Sequence, residues 1–136
     1  MIFSKIQREG FFLLIFQNEF NAGEVEENDF ADILYSNDKY SEEDCSIIID
    51  NLKQYFDKKE SIDKYISENL QNWALDRIGK VELALLRAYC YETGNNDLDK
   101  MVVNHILNLG KKYGSEDSNK FINGVIKNLE NNKYGI

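Results

Sequence analysis

Residues 101–129 read MVVNHILNLGKKYGSEDSNKFINGVIKNL, and this stretch predicts two helices separated by a short break. In its first half, apolar residues recur every three or four positions, which is the period of one helix face. Two lysines then precede Gly114, and both cations and glycine suit the C-terminal end of a helix. A second helix is predicted to begin at Ser115 or Ser118, because the acids between them favour a helix start.

The Asn123-Gly124 pair within the second predicted helix is unexpected. Asn-Gly is a turn signal, and a glycine inside a helix costs about 1 kcal/mol relative to alanine. Yet Phe121, Ile122 and Val125 recur around the pair at helical spacing. We therefore predict that Gly124 permits the close approach of another helix, and that Asn123 hydrogen-bonds to a neighbouring backbone or to a ligand.

The rest of the chain continues the helical pattern and contains no proline to interrupt it. A capping-box-like start at Ser41 opens one predicted helix, whose buried stripe comprises Ile48, Ile49, Leu52, Tyr55 and Phe56. Further helices are predicted over residues 3–20, 29–35, 60–71 and 73–91, with a break at residues 94–97. The sequence thus predicts an all-α protein, a single domain over residues 1–136 with six or seven helices.

The composition indicates a globular but acidic chain. Of 136 residues, 43% are hydrophobic, and the formal net charge is −8. The acidic excess falls in residues 21–70, a segment that an RNA-binding surface should avoid because carboxylates repel phosphate. Two cysteines are too few for a disulfide framework or a zinc site, so we expect buried thiols and no metal or cofactor. The apolar run at residues 11–16 is too short to span a membrane, and no signal peptide is evident, which predicts a cytoplasmic protein.

Three segments of the C-terminal half resemble the NusB family of transcription antitermination factors. The segments are Trp73–Glu92 (WALDRIGKVELALLRAYCYE), Met101–Gly114 and Ser115–Leu129, and they carry the ordered motifs DRI, LLR, VxN, GKKYG and KFxNGV. Residues 8–20 (REGFFLLIFQNEF) resemble the family's first helix more weakly, and residues 21–70 match only in helical character. The resemblance implies a compact fold of two small helical bundles.

The resemblance also implies a function that composition cannot show. Members of the family bind the boxA element of ribosomal RNA transcripts together with NusE, which is also a protein of the small ribosomal subunit. The pair joins an elongating RNA polymerase complex with NusA and NusG and makes that complex resist termination.

The resemblance further implies where RNA would be bound. Single-stranded RNA is held by stacked aromatic side chains and by basic contacts to phosphate. By resemblance, Tyr113 and Phe121 contact RNA, Asp117 lies near it, and Glu82 lies near the protein partner. The full set of predicted RNA-binding residues is Lys5, Arg8, Phe16, Lys111, Lys112, Tyr113, Asp117, Lys120, Phe121 and Asn123. The alternatives stay open, because the phenylalanines also suit a core and the lysines also suit solvated helix ends.

The chain departs from the family at its N-terminus. Family members commonly open with an arginine-rich stretch before the first helix, whereas only Lys5 and Arg8 remain here. Because phosphate contacts dominate affinity and its salt dependence, this loss should weaken RNA binding and flatten its salt response. His105 stands where the family commonly has glutamate. As the only histidine, we expect it to be partly buried and hydrogen-bonded rather than a metal ligand.

The sequence also bears on two other classes of function. The reduced basic N-terminus and the net negative charge also suit a protein-only adaptor, or a self-associating homodimer with weak or no RNA binding. A related domain precedes the catalytic part of some ribosomal RNA methyltransferases. This sequence, however, shows no glycine-rich cofactor loop and no nucleophile–base pair, so we expect no enzymatic activity.

Overall fold

The computed structural model describes residues 2–20, 32–70, 74–94 and 99–131. These residues form α1 (Lys5–Phe20), α2 (Glu42–Glu68), α3 (Lys80–Thr93), α4 (Lys100–Tyr113) and α5 (Glu116–Asn131). A 3₁₀ turn at Leu75–Arg77 precedes α3, and residues 32–35 are also helical. Throughout the described ranges there is no β-strand, which confirms the predicted all-α class. The first part of the helix predicted over 29–35 lies outside the described residues.

Two side-chain caps fix the starts of α1 and α2. Ser4 and Gln7 exchange hydrogen bonds between side chain and backbone at 3.0 and 3.3 Å, so α1 begins at Lys5 rather than at Phe3. Ser41 and Asp44 form the predicted capping box at the start of α2, with distances of 3.0 and 3.2 Å. Gln7 Nε2 also donates to Asp44 Oδ1 at 2.8 Å, which ties the two helix starts together.

The prediction of two helices between Ser41 and residue 71 was wrong, because α2 continues unbroken for 27 residues. The polar stretch that separates its two apolar stripes, Asp57–Glu60, contains neither glycine nor proline and consists of residues that tolerate a helix interior. Phe56 was predicted to be buried but is 37% exposed, because the adjacent Tyr55 occupies the core.

The prediction of a helix from Trp73 to about Tyr91 was wrong at its start, because α3 begins only at Lys80. Gly79 is the N-cap, and the Glu82 carboxylate folds back so closely that a Cβ at Gly79 would lie 2.2 Å from Glu82 Oε2. Thr93 ends the helix, and Gly94 follows with a φ of +52°, a conformation that favours glycine. Trp73 and the rest of the predicted break after Gly94 lie outside the described residues.

Helix α3 is the centre of the fold, since it packs against α1, α2, α4 and α5. Every residue from Leu83 to Thr93 is buried, including two charged ones. Arg87 binds Asp63 of α2 through two hydrogen bonds of 2.7 and 3.0 Å and also contacts Glu19 of α1. Glu92 binds Arg8 of α1 instead. The two buried charges of α3 are therefore paired with other helices rather than with each other.

Gly10 and Gly110, rather than Gly124, are the glycines that lie in close contact with neighbouring side chains. A Cβ at Gly10 would lie 2.9 Å from both Ile48 Cδ1 and Tyr40 Cε1, and one at Gly110 would lie 3.2 Å from Ile122 Cδ1. A Cβ at Gly124 would meet no atom of any described helix within 4 Å, so the prediction that Gly124 permits the close approach of another helix was wrong. The reason is rotational: α5 turns its apolar stripe inward and leaves Gly124 on the exposed side.

Two further features bear on function class. Cys45 and Cys90 are both buried and form no disulfide, as predicted. Among the helices described, none has the length and apolarity needed to cross a bilayer.

Candidate nucleic-acid interface

The ends of three helices meet where α4 finishes and α5 and α3 begin. Ser118 N donates to Ser115 Oγ at 3.2 Å, and Ser115 N donates to Ser118 Oγ at 3.1 Å. This reciprocal cap selects Ser115, of the two predicted positions, as the residue that precedes α5. The Ser118 hydroxyl also donates to the Glu82 carboxylate, which links the first turn of α5 to the first turn of α3.

A cavity of about 280 Å³ lies beside the Ser118–Glu82 hydrogen bond. It is lined by Arg77, Ile78, Gly79, Glu82, Ser115, Asp117, Ser118 and Phe121. Asp117 is exposed, whereas Phe121 is half-buried and packs partly against the core. The position of Phe121 therefore suits both a core residue and a ligand contact. Part of its ring packs against the core, and part borders the cavity, where a flat ligand could stack on it.

Glu9 of α1 accepts hydrogen bonds from three side chains, two of which lie at the C-terminal end of α4. Its carboxylate accepts hydrogen bonds from Lys112 Nζ at 2.7 Å, Lys39 Nζ at 2.8 Å and the Tyr113 hydroxyl at 2.9 Å. Burial by itself would raise the pKa of Glu9, but hydrogen bonds from Lys112, Lys39 and Tyr113 outweigh it and lower the pKa to about 2. Two of the predicted RNA contacts, Lys112 and Tyr113, are thus oriented by an internal carboxylate.

An aromatic row connects this cluster to the middle of α1. The ring centroids of Tyr113 and Phe12 are 5.3 Å apart, and those of Phe12 and Phe16 are 6.0 Å apart. Phe12 is fully buried, whereas Tyr113 and Phe16 are half-buried at the two ends of the row. The Lys112 ammonium lies 5.3 Å from the Tyr113 ring centroid. This end of the bundle therefore presents two partly exposed aromatic rings, one of them beside a cation.

The prediction that Arg8 contacts RNA is contradicted, because Arg8 is only 2% exposed. Its guanidinium donates to both carboxylate oxygens of Glu92 at 2.6 and 2.8 Å and to Phe3 O at 2.8 Å. Glu92 also accepts the backbone N–H groups of Ile2 and Phe3. Arg8 is thus the internal counter-ion of Glu92, and together they hold the N-terminal residues against α3.

His105 completes this buried network. Arg8 Nη1 lies 2.8 Å from His105 Nδ1, and because arginine can only donate, Nδ1 accepts and the ring is neutral with its proton on Nε2. Burial, followed by the charges of Arg8 and Lys5, lowers the pKa of His105. The expectation of a partly buried, hydrogen-bonded histidine is confirmed. Within the described ranges, no group of metal-ligating side chains is found.

The remaining predicted residues lie on the surface in different settings. Lys5, Lys111 and Lys120 are exposed, and in the described part of the chain Lys111 and Lys120 make no ion pair. Asn123 is half-buried and does not border the cavity. The structure therefore brings Glu82, Asp117 and Phe121 together at the cavity and Lys112 and Tyr113 together at Glu9.

Sequence reasoning missed Glu9, and it considered Ser118 only as a possible helix start and not as a link between these residues. Ser118 stands three positions after Ser115, a spacing at which two side chains can cap one helix start, so the pattern could have identified it. Glu9 has no such local signal, since its partners Lys39 and Lys112 are far away in sequence.

Comparison with known proteins identifies the same family from a family model and from individual relatives. Residues 5–131 match the model of the NusB family. The chain is 37% identical over 129 residues to the transcription antitermination protein NusB of Clostridium botulinum (strain Alaska E43 / Type E3), covering 92% of this chain and 96% of that protein.

Solved structures agree with the sequence comparison. The chain is similar to T. maritima NusB with a TM-score of 0.81 and 25% identity, covering the whole of both chains. It is also similar to a chain in the crystal structure of antitermination factors NusB and NusE in complex with double-stranded RNA, with a TM-score of 0.82, 25% identity and coverage of 93% of this chain and 95% of that chain.

Proposed function

This chain belongs to the NusB family, as its motifs indicated, and from that premise we propose that it binds the boxA element of ribosomal RNA transcripts together with NusE. In this role it would join an elongating RNA polymerase complex with NusA and NusG. The observation that carries the proposal is that the two helices joined at Gly114 and Ser115 place these residues in two groups: Asp117 and Phe121 border one cavity, and Lys112 and Tyr113 share the Glu9 carboxylate.

Each residue at this junction has a distinct part in the proposed binding. Tyr113 and Phe121 offer partly exposed rings on which unpaired bases can stack. Lys111 and Lys120 are exposed cations available to phosphate. Asp117 borders the same cavity and repels phosphate, so it restrains affinity and favours a ligand that places a base, not a phosphate, beside it.

The N-terminal helix contributes little charge to this surface. Of the two basic residues in the described part of α1, Arg8 is buried in an ion pair with Glu92, and only Lys5 is exposed. Tight RNA binding therefore needs cations from elsewhere, and we assign that contribution to NusE. RNA affinity should consequently depend more on the partner than it would in a relative with an arginine-rich start.

Glu82 gives a physical link between the two proposed ligands. It is half-buried at the start of α3, and its carboxylate accepts a hydrogen bond from Ser118 in the first turn of α5. A partner that contacts α3 near Glu82 would fix this carboxylate and, through Ser118, the helix start that carries Asp117 and Phe121. Partner binding would thereby pre-organise the RNA surface, which lowers the ordering cost of RNA binding.

The test is a titration of labelled boxA RNA with the protein, alone and with its NusE, at two salt concentrations. We expect a preference for boxA over a scrambled RNA that becomes stronger with NusE. Phe121→Leu, which keeps an apolar side chain against the core, should weaken boxA binding by about 1–3 kcal/mol through loss of stacking. Equal affinity for boxA and scrambled RNA in the presence of NusE would refute the proposal.

A protein-only adaptor is the second candidate, and the internal use of Arg8 and of Glu9-bound Lys112 favours it. It predicts NusE binding without any RNA preference. A self-associating form would cover the junction of α4 and α5 and would appear as a dimer in a sizing measurement. A stable monomer would exclude that form.

A further inference from the structure

A groove of about 560 Å³ lies between the C-terminal end of α2 and the outer side of α5. Phe121 forms its first part and also borders the cavity at the α4–α5 junction, so the groove and the cavity adjoin at one ring. Beyond Phe121, the side of the groove on α5 is formed by Lys120, Gly124, Lys127 and Asn128.

Packing within the described part of the chain does not explain Gly124 in this groove. Its backbone is helical, and a Cβ there would meet no atom of the described residues within 4 Å. A glycine at an exposed mid-helix position sacrifices about 1 kcal/mol of stability without relieving any contact. The glycine leaves the backbone of α5 open at the middle of the groove, which suits a ligand that lies directly against the helix.

The charge of the groove suits a polyanion. Lys120 and Lys127 are exposed on one side of α5, and in the described chain neither makes an ion pair. Among the described residues that line the groove, none carries a carboxylate. Asn128 adds amide donors and acceptors that can meet base edges. A protein ligand would instead need a large apolar anchor site, and the apolar lining that the described residues provide consists of Leu70, Phe121 and Val125.

We propose that single-stranded RNA continues from Phe121 along this groove, crosses α5 over Gly124 and places phosphates at Lys120 and Lys127. The inference rests on the proposed function and extends its RNA-binding surface beyond the α4–α5 junction. Lys120 and Lys127 are about 10 Å apart along the helix axis. That length corresponds to about three nucleotides of a stacked strand.

The test compares three RNAs bound by the protein with its NusE: a boxA RNA, and the same RNA extended by four uridines at its 5′ end or at its 3′ end. One extension should tighten binding about fivefold and steepen the salt dependence, because phosphate contacts are added. Lys127→Gln and Gly124→Gln should abolish the gain and leave binding of the unextended RNA within about twofold. Gly124→Gln should also raise the melting temperature, which separates lost binding from misfolding.

Lys53→Gln is the charge-matched control. Lys53 is exposed on α2, roughly 24 Å along the helix axis from Asn69 at the groove, and its removal should preserve the gain. If boxA binds but neither extension tightens binding, or if the gain survives both groove substitutions, the groove proposal fails while the proposed function stands. If boxA preference itself is absent, both fail. Weaker binding of NusE to Gly124→Gln without RNA would assign the groove to protein and overturn the proposal.

Discussion

Replacing Gly124 by alanine should stabilise the protein, although the residue belongs to a motif shared with the family. A methyl group at this position would meet none of the described residues within 4 Å, and the backbone is already helical. The change therefore gains the helix propensity difference of about 1 kcal/mol without a steric penalty. For a chain of this size the melting temperature should rise by about 3–5 °C.

Gly10→Ala provides the matched contrast. Its new methyl group would lie 2.9 Å from Ile48 Cδ1 and from Tyr40 Cε1, so both side chains would have to move. Overpacking of this kind costs about 1–3 kcal/mol, which exceeds the propensity gain and leaves a net loss on the order of 1 kcal/mol. Urea unfolding followed by circular dichroism should show opposite shifts of the midpoint at an unchanged slope. Destabilisation by Gly124→Ala would refute the conclusion that this glycine is dispensable for packing.

Three further outcomes follow from the ion pairs and caps. Because the pKa of Glu9 is lowered to about 2, its ion pairs contribute fully to stability above about pH 4.5, and this contribution is lost as the pH falls towards 2. Glu9→Gln should therefore remove about 1–2 kcal/mol of the acid dependence of the unfolding free energy, measured by urea titrations at several pH values. Arg8→Met should cost about 3–5 kcal/mol by leaving Glu92 buried and unpaired, and adding Glu92→Met should recover much of the loss in thermal unfolding. Ser41→Ala should cost about 1 kcal/mol, measured by urea unfolding, whereas Ser41→Asp should not.

Local signals in the sequence predicted what is local in the structure. The Ser41 capping box, the end of α4 before Gly114 and the start of α5 after Ser115 each depend on residues within one helical turn. The continuity of α2 was missed because a gap in its apolar stripe resembles a break, although nothing there disfavours a helix.

Long-range pairing was outside the reach of those local signals. Arg8 looked like a surface cation because its partner, Glu92, is 84 positions away, and Glu9 gave no sign of the lysines that it binds. The surroundings of Gly124 were also beyond what local signals could predict. The sequence revealed an unusual glycine, but only the rotation of α5 decides whether a neighbouring helix or solvent faces it.

The positions of the cations that are available to RNA phosphate determine how this protein would differ, in the proposed role, from a relative with an arginine-rich N-terminus. Arg8 neutralises Glu92 inside the fold, and Lys112 and Lys39 share Glu9, so a phosphate must compete for these three charges. Near the proposed surface, the described cations without an ion-pair partner include Arg77, which lines the cavity, and Lys111, Lys120 and Lys127, which lie at the end of α4 and along α5. RNA affinity should therefore respond more to charge removal on α5 than on α1. For the boxA RNA whose extension tightens binding, Lys120→Gln combined with Lys127→Gln should flatten the salt dependence by a slope of about 1.4, whereas Lys5→Gln should change it by no more than half as much.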